Sequence, residues 1–292
     1  MQIFKAEVVR TARLTPGMMR VTLGGHGLAS FASTGVGDEF VRLFFAAEGQ
    51  VEPNLPRATG NGWRWDDGVE PAPLRTYTVR NARPDENEID IDFVVHSGGL
   101  ATEWAMCARP GSVVGLNSPT GLYDAPEELD WQILIADAAG LPAASRLLEQ
   151  APAGTRTRAI FEVAARTHEQ SLRTTSQTDI AWLLAGNGKS PSRIDEILRS
   201  IQLPAGVGYV WVAGETKDLR SVRKYLRHEV GLPASAYKVV AYWTHKGEEW
   251  LARYEGLDDM TKESLAELWE DTERDEEAIE DEYIARLESL GL

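Results

Sequence analysis

The sequence predicts a β plus α/β protein: an N-terminal antiparallel six-stranded β-barrel, a C-terminal α/β nucleotide-binding domain with a parallel sheet, and C-terminal amphipathic helices. Three observations predict it. The first 120 residues run in short segments of period-two alternation bounded by Gly and Pro. From Trp131 near-continuous apolar runs alternate with helical patterns, and from Leu257 apolar residues recur at helical spacing among carboxylates.

Taken in order, residues 4–10, 19–23, 40–46, 74–80, 89–96 and 113–116 read as strands, with one helical pattern at 101–108. Strands this short with a single helix among them suit a small barrel. Residues 50–73 are rich in Gly, Pro and Asn and carry Trp63 and Trp65, so they read as a long excursion, without a further strand, that covers a ligand. The acidic stretch 124–130 with Pro126 reads as a linker. Beyond it WQILIAD, TRAIFEVA, DIAWLLAG, YVWVAG and YKVVAYW read as strands, with helices reaching 148, 201 and 230. That alternation marks a parallel sheet covered on both faces, whose ligands sit beyond the carboxyl ends of the strands. The expected domains are 1–125, 126–256 and a tail, 257–292. In the tail, Leu265, Leu268, Trp269, Ile279, Tyr283, Leu287 and Leu290 form the apolar side of one or two helices, docked on the body or on a second subunit. A monomer or homodimer is expected.

With 292 residues, 43% of them hydrophobic, the chain can build two cores. No apolar run approaches the ~20 residues a membrane span needs. The start, MQIFKAEVVR, lacks the apolar core and small-residue cleavage site of a secretory signal, so a cytoplasmic protein without a membrane partner is expected. Cys107 is the only cysteine; with five scattered histidines it provides neither an internal disulfide nor a metal-ligand spacing. A net charge of −15 repels a phosphate backbone and argues against nucleic acid. Residues 258–292 hold 14 acidic and 3 basic side chains, so the tail carries −11 and the body only −4.

Arg75-Thr76-Tyr77-Thr78 opens a barrel strand and offers what a flavin needs: a guanidinium for pyrophosphate, an aromatic face for a ring and a hydroxyl for a ring nitrogen. Alone, the four residues are better explained as an ordinary strand with a solvated Arg and a core Tyr. Some twenty residues on, His96-Ser97-Gly98-Gly99-Leu100-Ala101-Thr102 joins a strand end, two glycines and a helix start. Backbone N–H groups there suit a pyrophosphate; the plain alternative is a glycine turn and N-cap.

FVRLFF from Phe40, RTYTVR from Arg75, VVHSGGLATEWA from Val94, GLNSPTG from Gly115, ADAAGLPAASRLL from Ala136, VAGE from Val212 and AYWTHKGEEW from Ala241 span some 200 residues. In order and spacing they resemble the ferredoxin-reductase superfamily and, within it, the siderophore-interacting proteins, FAD-dependent ferric-siderophore reductases. The resemblance implies FAD bound by Arg75, Thr76, Tyr77 and Thr78, with Arg75 at the pyrophosphate, Tyr77 on the isoalloxazine or ribityl, and Thr78 near N5. Val94, His96, Gly98, Gly99, Ala101 and Thr102 would continue along ribityl and phosphates. It also implies that Asp137 to Pro142 is the first strand-to-helix turn of the nucleotide domain and that Gly214-Glu215 faces NADH or NADPH. ADAAGLP is no GxGxxG, and Gly140 and Pro142 could equally shape a helix start. Glu162 is a candidate for a ribose hydroxyl pair and Arg166 for a 2′-phosphate, leaving the nucleotide open.

For the acceptor, a ferric siderophore, the resemblance offers Arg42, Trp243, His245 and Lys246. Tyr242 fits the core better. Thr120 and Thr244 stand where the family commonly carries a basic residue, which favours a hydroxamate over a more highly charged catecholate. The implied reaction moves electrons from NAD(P)H through FAD to ferric iron and needs no acid–base pair. Three alternatives stay open: a flavoprotein reductase of a redox protein such as ferredoxin, a non-enzymatic siderophore-binding protein, and a barrel plus α/β protein that holds no flavin.

Overall fold

The computed structural model describes residues 1–60, 62–174, 177–270, 274 and 276–292. They form two compact units, Met1–Trp243 and Thr244–Leu292.

The first unit opens with β1 (Ile3–Thr15), β2 (Met18–Gly24), β3 (Phe40–Phe44), the two-residue strands β4 (Arg57–Ala58) and β5 (Trp63–Arg64), β6 (Leu74–Thr78), β7 (Asn81–Arg83), β8 (Glu88–Val94), helix α1 (Leu100–Cys107) and β9 (Val113–Asn117). Seven of these strands pair antiparallel in the order β6-β3-β9-β1-β2-β8-β7. The two edge strands are consecutive in the chain and joined only by Val79 and Arg80, so the sheet must roll up on itself. Tyr77 of β6 then meets Phe93 of β8 across the roll, ring centroids 4.4 Å apart. The expected six strands are present. The seventh, β7, escaped prediction because three residues carry no readable period, and the expected strand 74–80 bends at Val79 to reach the other edge. β1 runs on to Thr15 through two register shifts, and such bulges add the twist that helps a small barrel close.

The excursion holds the short β4–β5 ladder, which turn-rich composition concealed. It lies on the barrel: Trp63 and Trp65 meet Phe44 edge-on at 5.5 and 6.0 Å. Leu55 occupies the space above Gly115, where any Cβ would collide with it.

The unit continues with β10 (Trp131–Ala136), α2 (Leu141–Gln150), β11 (Arg156–Val163), β12 (Gln177–Leu184), α3 (Ile194–Ser200), β13 (Gly208–Glu215), α4 (Thr216–Lys224), a π-helical turn (Tyr225–Val230) and β14 (Tyr237–Trp243). The five strands are all parallel, ordered β12-β11-β10-β13-β14. The chain steps outward from β10 through β11 to β12 and then returns to β13 on the other side of β10. The topological switch point, where sheets of this type take ligands, therefore lies beyond the carboxyl ends of β10 and β13.

A buried polar seam joins the barrel to the α/β part. Arg146 of α2 donates to Glu39 Oε1 at 2.7 Å and to the Val79 carbonyl at 2.6 Å, with both charged side chains nine-tenths or more buried. Asp38 accepts from the backbone N–H groups of Leu122 and Tyr123 and from the Trp211 indole at 3.0 Å. Arg80 forks onto Glu149. These bonds seat β3 and the end of β6 on α2.

The second unit contains α5 (Gly247–Glu255), α6 (Asp259–Glu267) and α7 (Glu276–Ser289); the last two lie in the tail 257–292, where one or two helices were expected, and α5 precedes it. The unforeseen α5 starts directly after Lys246, whose left-handed backbone (φ 54°) interrupts the pattern. Trp250 stacks on Tyr254 within α5, Arg286 of α7 donates to Ser264 of α6, and Trp269 meets Tyr283 edge-on. Leu265, Leu268, Ile279 and Leu287 are buried, while Trp269 and Leu290 stay exposed. Among the described residues no helix is long and apolar enough to cross a membrane.

Candidate functional site

On β6 the four candidate residues face different surroundings. Arg75, cross-strand from Leu43, is exposed and donates to the Leu74 carbonyl. Thr76 is exposed and pairs with Arg42 of β3, whose guanidinium lies 5.2 Å over the Trp63 ring. Tyr77 packs on Phe93, and burial pushes its hydroxyl up to about 12. Thr78 is buried, and its Oγ1 has no hydrogen-bond partner; the Tyr242 hydroxyl stands near it without forming a well-made bond. A buried hydroxyl without a partner is costly and is characteristic of a place where a ligand atom completes the bond.

The second candidate segment begins as β8 ends. Gly98 (φ 74°) and Gly99 (φ 96°) take left-handed backbone that other residues resist, and nothing stands within 4 Å of where a Gly98 Cβ would be. His96, exposed, folds back over Gly99 and approaches the Ser97 carbonyl. The buried Thr102 hydroxyl donates to the Val94 carbonyl at 3.1 Å, pinning α1 to β8, and Ala101 is buried beside it. No side chain caps α1. Its first N–H groups and the glycine turn thus form an open seat for an anion. With the unpartnered Thr78 hydroxyl and the exposed Arg75 guanidinium, this donor set fits the phosphates and ring of a flavin dinucleotide.

The carboxyl end of the parallel sheet is arranged differently, because its turns satisfy their own donors. Asp137 is buried, and burial pushes its carboxyl up to about 6 against the hydrogen bonds it accepts. Its Oδ1 accepts from Ala139 N (2.8 Å) and Gly140 N (3.1 Å), and Ala138 N donates to Asn187 Oδ1. Pro142 contributes no N–H. The turn therefore presents shape and small side chains, not a phosphate-binding ring of amides. Glu162 is turned inward at the end of β11, accepting from Ser192 Oγ and Arg193 N, and burial raises its carboxyl. Glu215 caps α4 through Lys217 N and Asp218 N, and Gly214 lies against Asp137. Trp243, half-buried at the end of β14, donates its indole N–H to Asp137 Oδ2. Tyr242 packs edge-on to Trp211, in keeping with the core position expected for it.

Arg42 and Trp243 lie in the first unit. His245 and Lys246 belong to the second, where both are exposed and Lys246 pairs with Glu249. Sequence reasoning did not single out Asp38, Glu39 or Arg146, which seat β3 and the end of β6. The only readable signal was an acidic pair directly preceding an apolar strand.

An antiparallel barrel with a glycine-preceded helix before its last strand, coupled to a switch-point parallel sheet, is a ferredoxin-reductase-like fold. Residues 7–123 match the family described as siderophore-interacting FAD-binding domain, and residues 129–246 match the siderophore-interacting protein family. The chain is 31% identical to ferric vibriobactin reductase ViuB of Vibrio cholerae over 83% of its length and 90% of that protein. It is 30% identical to the NADPH-dependent ferric-chelate reductase of Escherichia coli, over 82% and 92%. A siderophore utilization protein from T. fusca superposes with a TM-score of 0.75 at 34% identity, covering 84% of this chain and 94% of that one. The chain belongs to the siderophore-interacting protein family.

The Thr78 hydroxyl makes a prediction with two signs. Thr78→Val is expected to stabilise the apoprotein by about 1 kcal/mol, because it removes an unpartnered buried polar atom, and to weaken FAD binding about tenfold. Thermal unfolding of the apoprotein and fluorescence titration with FAD measure the two effects separately.

Proposed function

We propose that this chain is an NAD(P)H-dependent, FAD-containing reductase that delivers electrons to ferric iron in a siderophore and releases it as ferrous iron. The observation that carries the reading is the buried, unpartnered Thr78 hydroxyl on the strand bearing Tyr77 and Arg75. The names of the Vibrio cholerae and Escherichia coli relatives support it. Bound FAD supplies the chemistry that converts one hydride into two single-electron transfers.

The residues have these parts. Arg75 holds pyrophosphate, the Gly98-Gly99 turn and the start of α1 bind its oxygens, Tyr77 packs against the ring system and Thr78 bonds the flavin. At the switch point the turns 137–142 and 214–215 receive the nicotinamide nucleotide, NADPH or NADH, with Asp137 and Glu215 holding those turns in shape and Glu162, which accepts from Ser192 and Arg193, the candidate for the ribose hydroxyls. Arg42, Trp243, His245 and Lys246 face the acceptor. With threonine at 120 and 244, a hydroxamate chelate is preferred over a catecholate. Residues 1–125 carry the flavin, 126–256 the nucleotide and 257–292 form the tail of a cytoplasmic monomer or homodimer.

The test is anaerobic assay of FAD-loaded protein with NADH or NADPH and ferric hydroxamate or catecholate complexes, with ferrous iron trapped by a chelator. Ferrous iron formation with two irons reduced per nucleotide oxidised is expected, faster with hydroxamate. Reduction of ferredoxin alone would establish the rival reading.

A further inference from the structure

We infer that Asp137 is a positioning residue that acts through Trp243: its carboxylate fixes the indole across the switch-point crevice, and this orientation sets the rate of hydride transfer from the nicotinamide nucleotide. The inference deepens the proposed reductase activity and rests on it.

Trp243 is held by three separate devices. Its indole N–H donates to Asp137 Oδ2 at 2.5 Å. Its carbonyl accepts from Thr216 Oγ1 at 3.0 Å, which ties the end of β14 to the start of α4. Between these, the β13–β14 register slips: Gly214 pairs with Ala241 but Glu215 pairs with Trp243, leaving Tyr242 as the extra residue of a bulge. A bulge re-aims the side chains that follow it. Here Tyr242 goes to the Trp211 side and Trp243 goes to Asp137.

The direction of that reach locates the indole. β13 lies between β14 and β10 in the sheet, and Asp137 directly follows β10, so a hydrogen bond from Trp243 to Asp137 carries the indole over the end of β13. There Gly214 has no side chain to obstruct it, and a Cβ would sit 3.4 Å from Asp137 Oδ2. The carboxylate is itself immobilised, since Oδ1 is held by two backbone N–H groups of the turn before α2. A rigid acceptor, a bulge and a clamped carbonyl fix an aromatic plane at the switch-point end of the sheet. Near-attack geometry is sensitive to displacements of about 1 Å, so loss of this restraint acts on the transfer step.

The experiment compares Asp137→Asn, Trp243→Phe and the double variant in the FAD-loaded full chain. The Trp243 Hε1 resonance, assigned by its loss in Trp243→Phe, reports the bond in 15N-tryptophan-labelled protein. Stopped-flow flavin bleaching by NADPH and NADH reports hydride transfer at saturation and the nucleotide Kd. Asp137→Asn is expected to move the Hε1 resonance upfield and slow transfer about tenfold, with FAD content and nucleotide Kd within twofold of the parent. Trp243→Phe and the double variant should slow it by the same factor. Additive losses of about 100-fold in the double variant, an effect confined to Kd, or transfer unchanged in Trp243→Phe would each overturn the role; the last needs no folded Asp137→Asn. A parent chain that takes up no FAD would overturn the reductase reading itself, and the Hε1 signal would still report the bond.

Discussion

Arg75→Ala is expected to weaken FAD binding about 100-fold, roughly 2.7 kcal/mol. Two charge-assisted bonds from a guanidinium to a pyrophosphate contribute about 1.5–3 kcal/mol each, and part of that is offset by water in the variant. Arg75 is exposed and not part of the core, so the apoprotein should unfold at nearly the parent temperature. Arg75→Lys keeps the charge but not the fork and should fall between the two. Titration of FAD into apoprotein, followed by flavin fluorescence, measures the change; an unaltered Kd would remove Arg75 from the site.

Arg146→Met should destabilise the first unit by about 3–5 kcal/mol, because it leaves the Glu39 carboxylate buried without its cation. Ser33 and Thr34 would still donate to Glu39, but they supply no charge. The combined Glu39→Gln and Arg146→Met variant should recover much of the loss, since no unpaired charge then remains buried. Urea unfolding of the three proteins measures this, and a loss below about 1 kcal/mol in Arg146→Met would show that the seam carries little of the stability. Because Arg146 also holds the Val79 carbonyl next to Thr78, the single variant is expected to weaken FAD binding as well.

Much of the fold was legible because its signals are local. β8 reads EIDIDFV with the period-two alternation of a strand, its Asp90 and Asp92 buried in pairs with Arg83 and Arg20, and β10 reads WQILIA with all six residues buried, as a central parallel strand requires. The motif segments at 75–78 and 96–102 were legible for a similar reason, since a guanidinium, a ring, a hydroxyl and a glycine pair are chemically distinctive even in one dimension. The misses have physical causes too. β7 is too short to show a period, and α5 follows a left-handed residue.

What the sequence determined by itself was the longer elements, their parallel or antiparallel character, and the residue types able to serve a flavin or a nucleotide. Only the tertiary structure decided how those residues are paired. Asp137 and Glu162 read as site carboxylates, yet both are consumed by turns and a neighbouring indole, whereas Thr78 is left with an unmatched hydroxyl. Composition fixes how many donors and acceptors a chain carries. Pairing among them is long-range, spanning 106 residues from Asp137 to Trp243 and 107 from Glu39 to Arg146, and it is settled only when the parallel sheet has assembled and the barrel has closed on α2.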